Sequence, residues 1–315
     1  MAKQLWVDKY RPNKVDEYVF RDPAQKKLIE SWIADGGIPH LLLAGQAGLG
    51  KTSLAKMILK ELDVHPSDIL EINGSSQTGI DDVRGKITTF ISMLPFGEFR
   101  YVVIDECDFL SPNSQAALRN ITESYSNSAR FIFTCNYPHK VIDGIKSRCQ
   151  VLNFTKLDRE QFAQRIVQIL VQENVELTAD DADIIDTYII ASYPDMRKCI
   201  NNLQQAITDG KLTEINQSDA LSTDDYMLTA ISLFRNKKFT DARKEICNNI
   251  RQEDYEKIFT FAYQNLDIWA STTAQENKAV VLIRDAMAKA PLCADQEINI
   301  SAMLIELEDV ALESE

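Results

Sequence analysis

Gly45-Gln46-Ala47-Gly48-Leu49-Gly50-Lys51-Thr52 follows the apolar run Leu41-Leu42-Leu43-Ala44 and opens a segment, Lys51 to Leu62, with apolar residues at helical spacing (Leu54, Ala55, Ile58, Leu62). A phosphate chain needs many inward-pointing backbone N–H groups, and glycines let the backbone turn sharply and come close enough to supply them at a helix start. Gly45, Gly48 and Gly50 provide that loop between strand and helix, so residues Gly45 to Thr52 and the adjoining Ser53 are candidate nucleotide-binding positions. Lys51 is expected against the β- and γ-phosphates of ATP, and the Thr52 hydroxyl on a bridging Mg2+.

A second apolar run, Tyr101-Val102-Val103-Ile104, ends in Asp105-Glu106. An acid that closes a buried strand emerges at the carboxyl edge of a parallel sheet, beside the phosphate loop. Asp105 is therefore placed to hold the magnesium directly or through water, and Glu106, one residue on, to orient and deprotonate the attacking water. Asn136 ends another strand, Phe131 to Cys135, where an amide could hold the same water or simply begin a turn.

Composition sets the frame: 315 residues with 45 % hydrophobic content favour two or three domains with real cores. No apolar run approaches the roughly 20 residues that span a bilayer, and Met1 to Trp6 lacks a signal-peptide core, so no membrane association and a cytoplasmic location are expected. The six cysteines are scattered without Cys-x-x-Cys spacing, which fits buried reduced thiols rather than zinc or disulfides. A net charge of −13 excludes a chain that coats nucleic acid through its general surface, so any DNA contact must be local.

The expected fold class is α/β. Runs at Leu41–Ala44, Ile69–Ile72, Tyr101–Ile104, Phe131–Thr134 and Val151–Phe154 alternate with helical segments, which indicates a mostly parallel sheet covered on both faces. After Leu157 the pattern reads as wholly helical, with stripes at Phe162, Ile166, Ile169 and Leu170, at Ala182, Ile185 and Ile189, and at Met196, Ile200, Leu203 and Ile207. A polar stretch from Thr208 to about Asp224 marks a boundary before a last all-α part. Its apolar positions include Tyr226, Leu228, Ile231, Phe234, Ile258, Phe261, Leu266, Trp269, Val280, Leu282, Ile283 and Met287. Three domains are expected: 1–155 for nucleotide, 156–212 as a small helical lid, and 213–315 as a helical collar.

With these elements in place the chain resembles the AAA+ ATPase subunits of sliding-clamp loaders, of the replication factor C and tailed-phage kind. The likeness rests on Trp6-Val7-Asp8-Lys9-Tyr10-Arg11-Pro12, Asp105-Glu106-Cys107-Asp108, Tyr125-Ser126-Asn127-Ser128 with Arg130-Phe131 and Cys135-Asn136, Ser147-Arg148-Cys149, and Pro194-Asp195-Met196-Arg197-Lys198. Ser-Arg-Cys is the most discriminating of these motifs, and the match covers roughly residues 5 to 208.

The resemblance implies an ATP-driven subunit that opens a ring-shaped clamp and grips primer-template DNA, in an assembly with copies of itself and a non-identical companion subunit. It implies that Arg148 completes a neighbouring subunit's site, that Arg197 senses the γ-phosphate of its own site, and that Tyr10, Arg11 and Pro12 lie near the adenine. Trp6 is read instead as a hydrophobic staple, and Gln115 either links the acidic box to DNA sensing or is an exposed helical glutamine. DNA contact is implied for Ile80, Arg84 and Lys86, where Thr78 and Asn120 depart from the family's arginines and a solvated face is the other reading of Arg84. Met93, Leu94 and Phe96 form an apolar cluster that serves either core packing or clamp binding. The compact length without tails leans toward a phage system, which would place the protein in the cytoplasm of a bacterial host.

Overall fold

The computed structural model describes residues 4–76, 80–178, 181–208, 210–212, 225–251 and 254–312; the side chains of 80–83 and 225 are outside that description. The chain divides into two compact units, residues 1–174 with 193–204, and residues 175–192 with 205–315.

The first unit contains α1 (Trp6–Lys9), α2 (Pro23–Ala34), β1 (Leu41–Gly45), α3 (Lys51–Glu61), β2 (Ile69–Asn73), α4 (Ile80–Ile91), β3 (Arg100–Asp105), α5 (Pro112–Ser124), β4 (Ala129–Cys135), α6 (Asp143–Lys146), β5 (Gln150–Phe154) and α7 (Arg159–Gln172). The five strands form one sheet in the order β2-β3-β4-β1-β5. Every strand pair is parallel, with Leu41 opposite Ile132 and Gln150, Gly45 opposite Phe154, and Asn73 opposite Asp105. All five apolar runs of the sequence are thus strands. Their continuous rather than alternating hydrophobicity has a direct cause: Leu41, Leu42, Leu43, Val102 and Ile104 are all buried, with helices over both faces. One face packs Leu42, Ala44, Val102, Phe131 and Phe133 with Ile87 and Ile91 of α4 and Leu118 and Ile121 of α5.

Helix starts follow local chemistry. Asp22 caps α2 by accepting from the Gln25 N–H at 2.8 Å, Asp158 caps α7 through the Gln161 N–H at 2.9 Å, and Ser111 caps α5, with proline following the cap in α2 and α5.

The second unit holds α8 (Asp181–Ser192), α10 (Asp225–Arg235), α11 (Phe239–Asn249), α12 (Tyr255–Gln264), α13 (Thr273–Lys289) and α14 (Gln296–Leu312), while most of α9 (Met196–Ala206) belongs to the first. Its core surrounds Trp269, fully buried, edge-on to Phe234 at 4.8 Å and donating from Nε1 to the Ala262 carbonyl at 3.2 Å. Three details depart from the sequence expectations. Ile207–Thr208 (β6) pairs antiparallel with Lys211–Leu212 (β7), so the region after Leu157 is not wholly helical. The cause lies in the turn: Gly210 takes φ 79°, the left-handed conformation that closes a tight hairpin. Ala182 and Met287 are exposed rather than core-facing, and α8 instead buries Tyr188 and Ile190 beside Ile185 and Ile189. Of the cysteines, Cys107, Cys135 and Cys199 are buried, the other three are half-buried, and all six are free.

At the amino edge of the sheet the His40 imidazole accepts the Phe131 N–H through Nδ1 at 3.2 Å and packs on the Phe131 ring. Burial, aided by the Arg130 charge, pushes its pKa down to about 4. The unfolded chain takes up this proton near pH 6.5. The stability linked to neutral His40 is therefore complete above pH 6.5 and is lost as the pH falls towards 4. In melting curves between pH 7.5 and 4, His40→Gln, which keeps an acceptor, is expected to show a flatter decline than the native chain.

Candidate nucleotide site

Because all strands run parallel, Gly45, Asp105 and Asn136 leave the sheet at one carboxyl edge. The loop after β1 takes left-handed backbone at Gly48 (φ 79°) and Gly50 (φ 81°). A Cβ at Gly48 would lie 2.1 Å from the Asp195 carboxyl carbon, so only glycine fits there. Asp195 is held in turn as the cap of α9, accepting the Lys198 N–H at 3.0 Å.

Lys51 opens α3, and its ammonium donates to the carbonyls of Gly45 and Gln46, each at 2.7 Å, and to Asn136 Oδ1 at 2.9 Å. Burial holds its pKa below the ordinary lysine value; the Arg197 charge adds to this, while Asp105 and Asp108 oppose it. A bound anion restores the ammonium's preference for charge, so this lysine is poised to receive phosphate.

The acidic end of β3 is knotted to both neighbours. Asp105 Oδ1 accepts from the Thr52 hydroxyl at 2.8 Å and, in a short contact, from the Thr134 hydroxyl of β4. Thr134 Oγ1 also accepts the Glu106 N–H at 3.0 Å. Glu106 itself sits in left-handed backbone (φ 56°, ψ 44°), a strained conformation for a residue with a Cβ and one that turns its side chain off the strand direction. Thr52 and Asp105 present two hard oxygen donors side by side, a set that suits Mg2+. Among the described residues, no group of three or more His, Cys, Asp or Glu side chains is gathered to hold a metal by itself.

Beyond the loop lies a cavity lined by Tyr10, Arg11, Pro12, Tyr18, Gly48, Gly50, Ser53, Arg165, Met196 and Arg197. The three N-terminal residues, Ser53 and Arg197 therefore share one cavity with the glycine loop. Tyr10 is braced by its hydroxyl, which donates to Glu173 at 2.7 Å, and its carbonyl accepts from Arg165 at 3.3 Å. Trp6 is buried edge-on to Tyr10 at 6.4 Å, as a staple should be. Of the remaining loop residues, Leu49 is buried, whereas Gln46 and Ala47 face outward.

Arg148 is elsewhere. It precedes β5, whose first residue Gln150 pairs with Leu41 at the amino edge. The five-residue β1 sets Leu41 and that edge about 13 Å from Gly45 at roughly 3.3 Å per residue. There it donates to Glu123 at 2.6 Å and to the Gly144 carbonyl at 3.0 Å, so within one chain it has the surface salt bridge of an ordinary arginine. Gln115 is buried rather than exposed: it donates to the carbonyls of Leu110 and Lys140 and accepts the Ile142 N–H at 2.9 Å.

The apolar cluster is not core. Met93, Leu94 and Phe96 are 53 %, 91 % and 75 % exposed. Their loop is nonetheless firmly held: buried Arg100 donates to the carbonyls of Met93, Leu94 and Ser67, and buried Asp68 accepts the N–H groups of Phe96 and Gly97. The two charges pair at 3.4 Å, and His65 stacks on Phe96 at 4.4 Å. Arg84 and Lys86 are exposed on α4; the Ile80 side chain, Thr78 and Gly79 lie outside the described residues.

A glycine cradle, a buried lysine and a magnesium-type oxygen pair at one sheet edge define a P-loop ATPase, and residues 41–157 match the model of the ATPase family associated with various cellular activities (AAA). The chain is 40 % identical over 213 residues to the replication factor C small subunit of Natronomonas pharaonis, covering 66 % of this chain and 64 % of that one. It is 36 % identical over 248 residues to that of Archaeoglobus fulgidus (76 % of each) and 36 % over 250 residues to that of Methanococcus maripaludis (77 % and 78 %). The chain belongs to the replication factor C small subunit family and carries an AAA-family ATPase domain. The aligned region spans just under two thirds of the Natronomonas relative. The RuvB Holliday junction branch migration motor of Thermotoga maritima superposes with a TM-score of 0.53 over 97 % of this chain and 91 % of its own at 17 % identity, a likeness of fold alone.

Thr134 carries no motif signal, yet it is the hinge of the acidic end. Thr134→Val keeps the shape and removes both hydrogen bonds; loss of about 2 kcal/mol of positioning is expected to lower kcat some tenfold or more. Nucleotide titration should show affinity within about twofold of native, since Lys51 and the glycine loop are untouched.

Proposed function

We propose that this chain works in a sliding-clamp loader as a subunit whose ATP site is completed by its neighbour. The reading is carried by the placement of Arg148 at the edge of the sheet opposite Lys51 and Asp105. A guanidinium on the γ-phosphoryl group is worth several powers of ten in phosphoryl transfer, and in this reading Arg148 supplies it to another chain's nucleotide. Hydrolysis would then report that adjacent subunits, copies of this chain or a companion, are packed correctly.

In the proposed reaction the triphosphate lies along the Gly45–Thr52 loop with Lys51 on its β- and γ-phosphates. Thr52 and Asp105 would hold Mg2+, which would supply charge neutralisation to the phosphate oxygens. Glu106 accepts the proton of the attacking water, Asn136 orients that water, and Arg197 touches the γ-phosphate so that its presence is felt by α9. The bond from the γ-phosphorus to the β–γ bridging oxygen breaks and ADP leaves; no protein nucleophile is needed. Tyr10, Arg11 and Pro12 border the adenine.

The remaining assignments extend this reading. Exposed Arg84 and Lys86 on α4, with Ile80, are proposed to follow the phosphates of primer-template DNA, a local basic contact on an acidic chain. The exposed Met93, Leu94 and Phe96 are proposed to insert into the clamp. Residues 156–212 are proposed as the lid and 213–315 as the collar. Among the described residues no helix is long and apolar enough to cross a membrane.

Mixing distinguishes a shared site from a self-contained one. Arg148→Ala assemblies should bind ATP normally but hydrolyse it about a hundredfold or more slowly, and adding Lys51→Ala subunits, which keep Arg148, should restore part of the rate. If Arg148→Ala leaves the rate intact, the proposal fails. For the clamp, Leu94→Ser with Phe96→Ser should weaken binding at least about tenfold while the melting temperature stays within about 1–2 °C, because these side chains lie outside the core.

A further inference from the structure

The short 3₁₀ turn Cys107–Phe109 follows Glu106 directly and carries a second carboxylate, Asp108, only 6 % exposed. Its Oδ2 accepts two consecutive backbone N–H groups from the end of β4, that of Asn136 at 3.1 Å and that of Tyr137 at 2.9 Å. Its Oδ1 is buried and finds no hydrogen-bond partner among the described residues. Leaving a buried carboxylate oxygen unpaired costs free energy, and such a group beside a reaction centre calls for a reason.

We propose that Asp108 is a positioning residue for hydrolysis: it pins the Asn136–Tyr137 backbone to the turn that bears Glu106, so that the base and the water-orienting amide move as one piece. This rests on the reading of Asn136 given above. The geometry favours it in two ways. Both N–H groups converge on one oxygen, which fixes the direction in which the Asn136 side chain leaves the strand, and that side chain already reaches Lys51 Nζ at 2.9 Å. The Phe109 N–H donates back to the Glu106 carbonyl at 3.1 Å, closing the turn between base and anchor. When Lys51 turns from the loop carbonyls to a γ-phosphate, its hold on the Asn136 amide is relaxed. Asp108 then keeps the amide from following the lysine and leaves its oxygen available to a water.

The test compares Asp108→Ala, Asp108→Asn, Asn136→Ala and the Asp108→Ala/Asn136→Ala double variant of the full chain in its natural assembly, by steady-state ATPase and by titration with a fluorescent ATP analogue. Asp108→Ala is expected to lower kcat about tenfold with KM and nucleotide affinity within about twofold, and the double variant to be no slower than Asn136→Ala alone. Asp108→Asn, whose amide oxygen still accepts both N–H groups, should recover kcat to within about threefold of native. A slow Asn136→Ala beside a native-like Asp108→Ala overturns the inference and leaves the role of Asn136 standing, as does a double variant whose losses multiply. A native-like Asn136→Ala overturns the role of Asn136 itself. Should Asp108→Ala fail to fold, the Asn variant decides: a kcat within about threefold of native, with any loss absent in the Asn136→Ala background, supports the inference, and a larger loss or an equal loss in both backgrounds overturns it.

Discussion

One carboxylate ties the catalytic edge together. Asp105 takes a hydroxyl from α3 and another from β4 while its own strand lies between β2 and β4, so phosphate loop, acidic end and β4 are fixed relative to each other. The left-handed turn at Glu106 is tolerable because the Thr134 hydroxyl receives the N–H that the turn would otherwise leave unpaired. Lys51 completes the tie by joining the loop carbonyls to Asn136. The buried Lys51 ammonium feels the carboxylates of Asp105 and Asp108 and the opposing charge of Arg197.

The parallel sheet gives this arrangement its polarity. Every strand delivers its carboxyl end to the nucleotide and its amino end to the opposite rim, where His40 and Arg148 lie. The same chain thus holds a phosphate-binding edge and, at the other rim, an arginine paired with Glu123.

Much of this was legible in the residues because burial on both faces leaves unbroken apolar strands, and a phosphate loop admits few substitutes for glycine and lysine. Gly45 to Thr52, Asp105, Glu106 and all five strands follow from that physics. Thr134 did not stand out, since threonine in a strand is an ordinary β-former and only the register with β3 shows its hydroxyl meeting Asp105. The Asp68–Arg100 pair was hidden by the long stretch of chain between its partners, and the paired strands β6 and β7 by their length of two residues each. Gln115 illustrates the converse: its sequence context suits an exposed helix position, yet two carbonyls and an N–H enclose it.

The loop bearing Leu94 and Phe96 has a thermodynamic consequence. Exposed apolar side chains are commonly mounted on loose backbone and give up conformational freedom when a partner covers them. Here a guanidinium and a carboxylate, both buried, already fix the carbonyls and amides from Met93 to Gly97, and an imidazole ring backs Phe96. The ordering has been completed during folding, so a surface that meets this knuckle gains the hydrophobic contact with little further entropy loss.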